Sequence, residues 1–222
     1  LAILALHDRD GDGVVTWARR ALAAGSRSGV SATLLCHGLA IDGRLGEAFD
    51  AMTTLLAGGP PPAVSRDAHL GRGIVRVWSN DLDGAVADLA AADGSAAEHD
   101  RPPGDAEGLH PGSASLLARA DVGSYQAEVA YRAGRWPEAL DLAEAIASVV
   151  DDAGDAMVVA LPHAEATFVL AGMGRVDDAQ AHLDAAVASA EATGLMPARL
   201  WAAHATLRVA AARADHVRVA GV

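Results

Sequence analysis

Lysine is absent from these 222 residues, so all 17 basic side chains are arginine. That removes the phosphate-loop lysine, the Schiff-base lysine and the lysine general base together. The one cysteine, Cys36, permits no internal disulfide and suits a reducing compartment. Aromatic residues make up only 4% of the chain. No apolar run reaches the roughly 18 to 20 residues that a membrane span needs, because Arg, Asp, Glu or His interrupts each one. The charged, apolar and cleavage regions of a secretory signal are missing as well. A cytoplasmic protein without membrane contact is expected. Positive charge is scarce: 29 acidic side chains outnumber the basic ones and give a net charge of -12. Such a field repels backbone phosphate, so this segment is expected to make no direct nucleic-acid contact.

What the chain does hold is alanine, the commonest of its apolar residues and a strong helix former that lets helices approach closely. It also holds a stride. Gly134 to Gly174, Ala139 to Ala179 and Gly154 to Gly194 are each 40 residues apart. One pattern, a helix, a break and a second helix, thus recurs in fixed register, which predicts stacked helical hairpins. Corresponding breaks fall near Gly11, Gly43, Asn80, Gly134, Gly174 and Ala214, at spacings of 32, 37, 54, 40 and 40.

After each break an apolar stripe runs at helical period: Ala48, Ala51, Met52 and Leu55; Ala85 and Leu89; Ala139, Leu142, Ala143 and Ile146; Ala179, Leu183, Ala186 and Val187. These are second helices. First helices are expected over Ser31 to Ile41, Asp67 to Ser79, Ser113 to Ala133, Ala156 to Met173 and Pro197 to Arg213. Gly154 and Gly194 stand where a left-handed stop is needed. Pro162 interrupts the fourth of these first helices and predicts a kink or a start at about Leu161. Two segments read as non-helical. Gly58-Gly59-Pro60-Pro61-Pro62 is a stiff connector, and Asp93 to Gly112 has no periodicity. The second explains the spacing of 54 and is expected to be a loop, either mobile or lying across a groove.

Residues 130–146, Ala-Tyr-Arg-Ala-Gly-Arg-Trp-Pro-Glu-Ala-Leu-Asp-Leu-Ala-Glu-Ala-Ile, show a small residue, Gly-Arg at the break, then an aromatic, an acid and alanine. This pattern resembles the tetratricopeptide repeat, although the period of 40 exceeds the standard of about 34 and Ala130 stands where the family has tyrosine. Long, alanine-rich, lysine-free repeats of this kind resemble the helical region of large ATP-binding transcriptional regulators of the LuxR type. The likeness covers nearly the whole chain, which contains neither an ATPase signature nor a DNA-binding helix-turn-helix. It implies an all-α fold, one TPR-like domain over residues 1–222 with a flexible insertion at about 93–112, wound as a right-handed superhelix of antiparallel hairpins. Because the sequence opens at Leu1 inside an apolar run, a piece of a longer protein is expected.

Chemistry-bearing motifs are few. Asp8 to Arg19 matches a calcium loop at its first, third and fifth positions, at glycine and at the aliphatic eighth, but Arg19 stands where a bidentate carboxylate must close the cage. A polar turn entering a helix needs the same Asp and Gly residues. None of the nine histidines forms a His-x-x-x-His pair, and Cys36 has no partner at ligand spacing. Ser113 and Ser115 lack a nucleophile-elbow context. No catalytic residue, metal site or cofactor is assigned. Cys36, in Thr33-Leu34-Leu35-Cys36-His37, reads as a buried structural thiol.

The family resemblance places a concave wall about 13, 10, 6 and 3 residues before each break. Here those positions hold Asp121, Ser124, Glu128 and Tyr131 before Gly134, and Trp201, His204 and Arg208 in the last hairpin. Earlier hairpins place Asp67 beside Leu70, Ile74 and Val77, and Thr33 beside His37. The ligand- or partner-binding face is therefore assigned to Trp201, His204, Arg208, Tyr131, Glu128, Ser124 and His37. The resemblance implies a non-enzymatic sensor or interaction segment, with a protein partner or small-molecule effector in the groove and self-association left open. The alternative is a general scaffold that binds a peptide or sister subunit without an effector.

Overall fold

The computed structural model describes residues 10–97 and 113–214. Ten helices and no strands occur among the described residues. None of these helices is long and apolar enough to cross a membrane. They are α1 (Gly11–Ala23), α2 (Val30–Ile41), α3 (Leu45–Ala57), α4 (Pro62–Trp78), α5 (Leu82–Ala97), α6 (Ser113–Arg132), α7 (Trp136–Ala153), α8 (Ala156–Gly172), α9 (Val176–Thr193) and α10 (Met196–Ala212). The chain divides into two compact units, Leu1–Ala118 and Arg119–Val222.

Five of the six expected breaks fall at the residues named. Gly43, Asn80, Gly134, Gly174 and Ala214 all have positive φ, as do the predicted stops Gly154 and Gly194. In the second unit a left-handed residue recurs every 20 positions, at Gly134, Gly154, Gly174, Gly194 and Ala214. Each break at the middle of a hairpin closes in the same way. The amide of Arg135 donates to Ala130 O (2.9 Å) and that of Gly134 to Tyr131 O (3.0 Å); Arg175 and Gly174 repeat this on Leu170 and Ala171, and Arg44 and Gly43 on Leu39 and Ala40. These paired bonds satisfy carbonyls that the helix end leaves open, and the left-handed φ they require suits a residue without a Cβ. The arginine that follows starts the next helix and bonds the acid three residues on: Arg44 to Glu47 at 2.7 Å, Arg135 to Glu138 at 2.6 Å and Arg175 to Asp178 at 2.7 Å. Five residues beyond each break stands an alanine with no exposed surface: Ala48, Ala85, Ala139 and Ala179. A methyl group there lets the second helix lie close against the first.

In the first unit, α2 packs on α1, α3 and α4, and α4 packs on α3 and α5. Its core gathers Val15, Ala18, Leu35, Cys36, Leu39, Met52 and Val64. Cys36 is buried, as the sequence indicated, and its thiol donates to Gly71 O at 3.3 Å. In the second unit, α8 packs on α7, α9 and α10. Contact of a helix with the next and with the next but one is how stacked hairpins pack. Ala127, Ala143 and Ala166 join α6, α7 and α8, while Leu170, Leu183, Ala205 and Val209 join α8, α9 and α10.

Four expectations need correction. Gly11 is the buried first residue of α1 rather than a left-handed break, and Asp10 caps that helix by accepting from the Gly13 amide at 2.8 Å. The acids and glycines from Asp10 onward thus form a helix start; residues 8 and 9 of the calcium-like motif lie outside the described residues. α4 begins at Pro62, not Asp67, because a first-turn proline needs no amide bond, so the stiff connector ends at Pro61. α5 runs on through Asp93 to Ala97, with residues 98–112 of the expected insertion outside the described residues. α8 starts at Ala156 as expected and not at Leu161, the alternative offered at Pro162: Asp155 caps it by accepting from the Met157 amide at 3.0 Å, and the helix runs through Pro162.

Candidate functional site

Six of the seven residues assigned to a binding face lie in the second unit, on α6 and α10. Ser124, Glu128 and Tyr131 follow one face of α6 at helical spacing; Ser124 and Glu128 are buried and Tyr131 is half-buried. Trp201, His204 and Arg208 do the same on α10, where Trp201 is half-buried and the other two are exposed. The helices meet through side chains. Arg208 Nη2 donates to the Tyr131 hydroxyl, and its guanidinium lies 5.6 Å from the centre of the Tyr131 ring. Trp201 meets Tyr125 of α6 edge to face at 6.4 Å and His204 of its own helix at 5.9 Å. On the far side Tyr131 stacks on Trp136 at 6.2 Å.

α8 supplies what the sequence reading missed. Glu165 is buried and has no hydrogen-bond partner for either carboxyl oxygen. Burial first, then the neighbouring Glu128 carboxylate, push its carboxyl well above the usual range, against the opposing pull of Arg132 and Arg208. Glu128 Oε1 accepts from Arg132 Nε at 2.8 Å and Nη2 at 2.5 Å, while its Oε2 is unpaired, as is Ser124 Oγ. Gly172, at the end of α8, allows the Tyr131 ring to close over it, because a Cβ there would stand 2.7 Å from the tyrosine oxygen. One signal of Glu165 was legible: it is the only acid or arginine between Asp155 and Arg175, in a helix otherwise apolar except for His163 and Thr167.

No family model, curated protein or solved structure matches this chain.

His37 belongs to the first unit, on α2, where lost solvation pushes its imidazole down to about 4. One turn earlier, Thr33 donates to Asp67 of α4 at 3.1 Å, and Arg66 Nε bonds the other oxygen of that carboxylate at 2.8 Å. Thr33 and Asp67, both on the expected concave wall, are therefore joined, and both oxygens of the carboxylate are engaged. A second buried acid, Asp88 of α5, receives Arg72 at 2.6 Å, Arg76 at 2.8 Å and His69 at 3.0 Å. In the second unit buried His163 bridges Asp151 at 3.0 Å and His182 at 3.1 Å. Among the described residues no three His, Cys, Asp or Glu side chains gather as a metal site. Asp67 and Asp88 thus have arginines on their carboxylates, whereas between α6 and α8 Arg132 bonds only one oxygen of Glu128 and no arginine bonds Glu165.

Proposed function

We propose that this chain is a non-enzymatic helical-repeat segment that binds a small-molecule effector on the face formed by α6, α8 and α10. In this reading the hairpins continue as a tetratricopeptide-like right-handed superhelix, and the segment is the sensing arm of a cytoplasmic regulator of the LuxR type, as the sequence resemblance implies. The observation that carries it is the under-satisfied group of Ser124, Glu128 and Glu165 beside the Tyr131 and Arg208 contact. Buried polar groups in a finished fold are nearly all paired, so a set left open on one face suits a ligand that completes it. Thermal melting of the full chain against a metabolite panel tests the reading. A ligand that binds only the folded state raises the melting temperature. A positive shift that disappears in Tyr131→Ala supports the sensor, and no shift with any small molecule removes it.

A scaffold that grips a protein partner is the second reading, favoured by Met157 and Leu200, which leave 49% and 43% of their surface exposed in this unit. Co-purification of a protein partner, lost in Leu200→Asp and accompanied by no small-molecule shift, would select it.

A further inference from the structure

Four buried side-chain oxygens in the second unit have no hydrogen-bond partner: Ser124 Oγ, Glu128 Oε2 and both oxygens of Glu165. Ser124 has no exposed surface, Glu165 has 1% and Glu128 has 8%. Ser124 and Glu128 lie one turn apart on α6, and Glu165 lies in the middle of α8. All four atoms can accept, and neither Arg132 nor Arg208 bonds any of them. Arg132 gives Nε and Nη2 to the outer oxygen of Glu128. Arg208, whose charge reaches Glu165, donates to the Tyr131 hydroxyl instead.

With Glu165 ionised, a complement rich in donors and positively charged would satisfy these four oxygens. An ammonium carries three N–H donors and no acceptor, and a guanidinium carries five. An anion would oppose the Glu128 carboxylate, and a neutral polyol would bring no charge to balance an ionised Glu165. With only two acids here, a metal ion would lack protein ligands. The rim already holds a cation over an aromatic ring, since the exposed Arg208 guanidinium sits on Tyr131.

We propose that Ser124, Glu128 and Glu165 bind the ammonium or guanidinium head of a small organic cation, with Arg208 swinging away from Tyr131 to admit it. The proposal rests on the effector-binding reading above and names the chemistry of the effector. The bound cation favours ionised Glu165, so the proton that burial keeps on this carboxyl in the empty site passes to solvent on binding.

Calorimetric titration of the full chain with butylamine, putrescine and agmatine tests it, with butanol and butyrate as neutral and anionic matches. Saturable binding of the amines alone is expected, with a heat that varies with the ionisation enthalpy of the buffer because a proton is released. Glu165→Gln should weaken binding about tenfold or more, the size of one charge-assisted hydrogen bond. Ser124→Ala, which leaves both carboxyl groups in place, provides a second and independent comparison. Amines that do not bind, or that bind both variants as they bind the parent, overturn the proposal. Binding of butanol or butyrate but not of amines overturns it while leaving the effector-binding reading intact. A blocked Gly-Lys-Gly peptide that binds where free amines do not would place the cation on a protein and overturn the small-molecule assignment.

Discussion

Replacing Glu165 by glutamine should stabilise the protein, and the gain should depend on pH. The glutamate is 1% exposed, and neither of its oxygens is paired. Burial and the Glu128 carboxylate raise its carboxyl well above the usual range. In the unfolded chain it titrates near the ordinary value of about 4.3. An acid whose folded pKa is raised leaves stability complete below the unfolded value; stability is then lost as the pH climbs from there to the folded value. Glutamine keeps the shape and has no proton to lose. A buried, unpaired polar group costs about 1–3 kcal/mol, and more when charged. For a unit of roughly 100 residues each kcal/mol moves the melting temperature by about 4–8 °C. Taking about 2 kcal/mol, the variant should melt roughly 10 °C higher near pH 8, and the gap should close toward pH 4. Calorimetric melts of both proteins across that range measure it. A variant less stable at every pH would mean that Glu165 has a donor this account denies, and a gap independent of pH would refute the burial argument.

Gly134→Ala and Gly174→Ala, each at φ +77, should each cost about 1–2 kcal/mol in urea unfolding, although nothing crowds the added methyl. Asp88→Asn should destabilise the first unit by about 2–3 kcal/mol, since Arg72 and Arg76 keep their charge but lose the carboxylate. Burial opposes ionisation of Asp88, but the Arg72 and His69 bonds and the arginine charges outweigh it and lower its pKa. Its contribution is thus present above about pH 3.9 and is lost as pH falls through the depressed value, which urea titrations in acid will follow. Burial pushes the Cys36 thiol up to about 12, so a thiol reagent should label it only as fast as the protein opens; rapid labelling of the native state would contradict this. His37 should titrate near 4 by NMR, and its share of stability should be lost as pH falls from about 6.5 toward that value, because the unfolded imidazole takes up its proton first.

The helix breaks were legible because chain reversal requires a left-handed residue, and glycine supplies it without steric cost. At Ala214, where glycine is missing, the stride of 40 alone located the turn, while Asn80 stands off that stride at spacings of 37 and 54; both have positive φ. Helix starts were harder to read. Pro60-Pro61-Pro62 looks like a pure connector, yet the last proline opens α4, and Gly94 in α5 breaks nothing because the helix runs on through it to Ala97. Helical spacing singled out Tyr131 on α6 and Arg208 on α10, and the structure joins the two in one contact. It missed Glu165 because the same offsets, counted back from Gly174, select Ala164 and step past its neighbour. Which acids are paired depends on which helices touch, and a periodic pattern does not say. Asp67 and Glu128 look alike in sequence, but the first has both oxygens engaged and the second only one.

Backbone chemical shifts across residues 119–214 test the repeating hairpin most directly. The account predicts helical shifts interrupted by left-handed residues at Gly134, Gly154, Gly174 and Gly194, one every 20 positions. Helix running unbroken through Gly134 or Gly174, or extended shifts within α8, would contradict it.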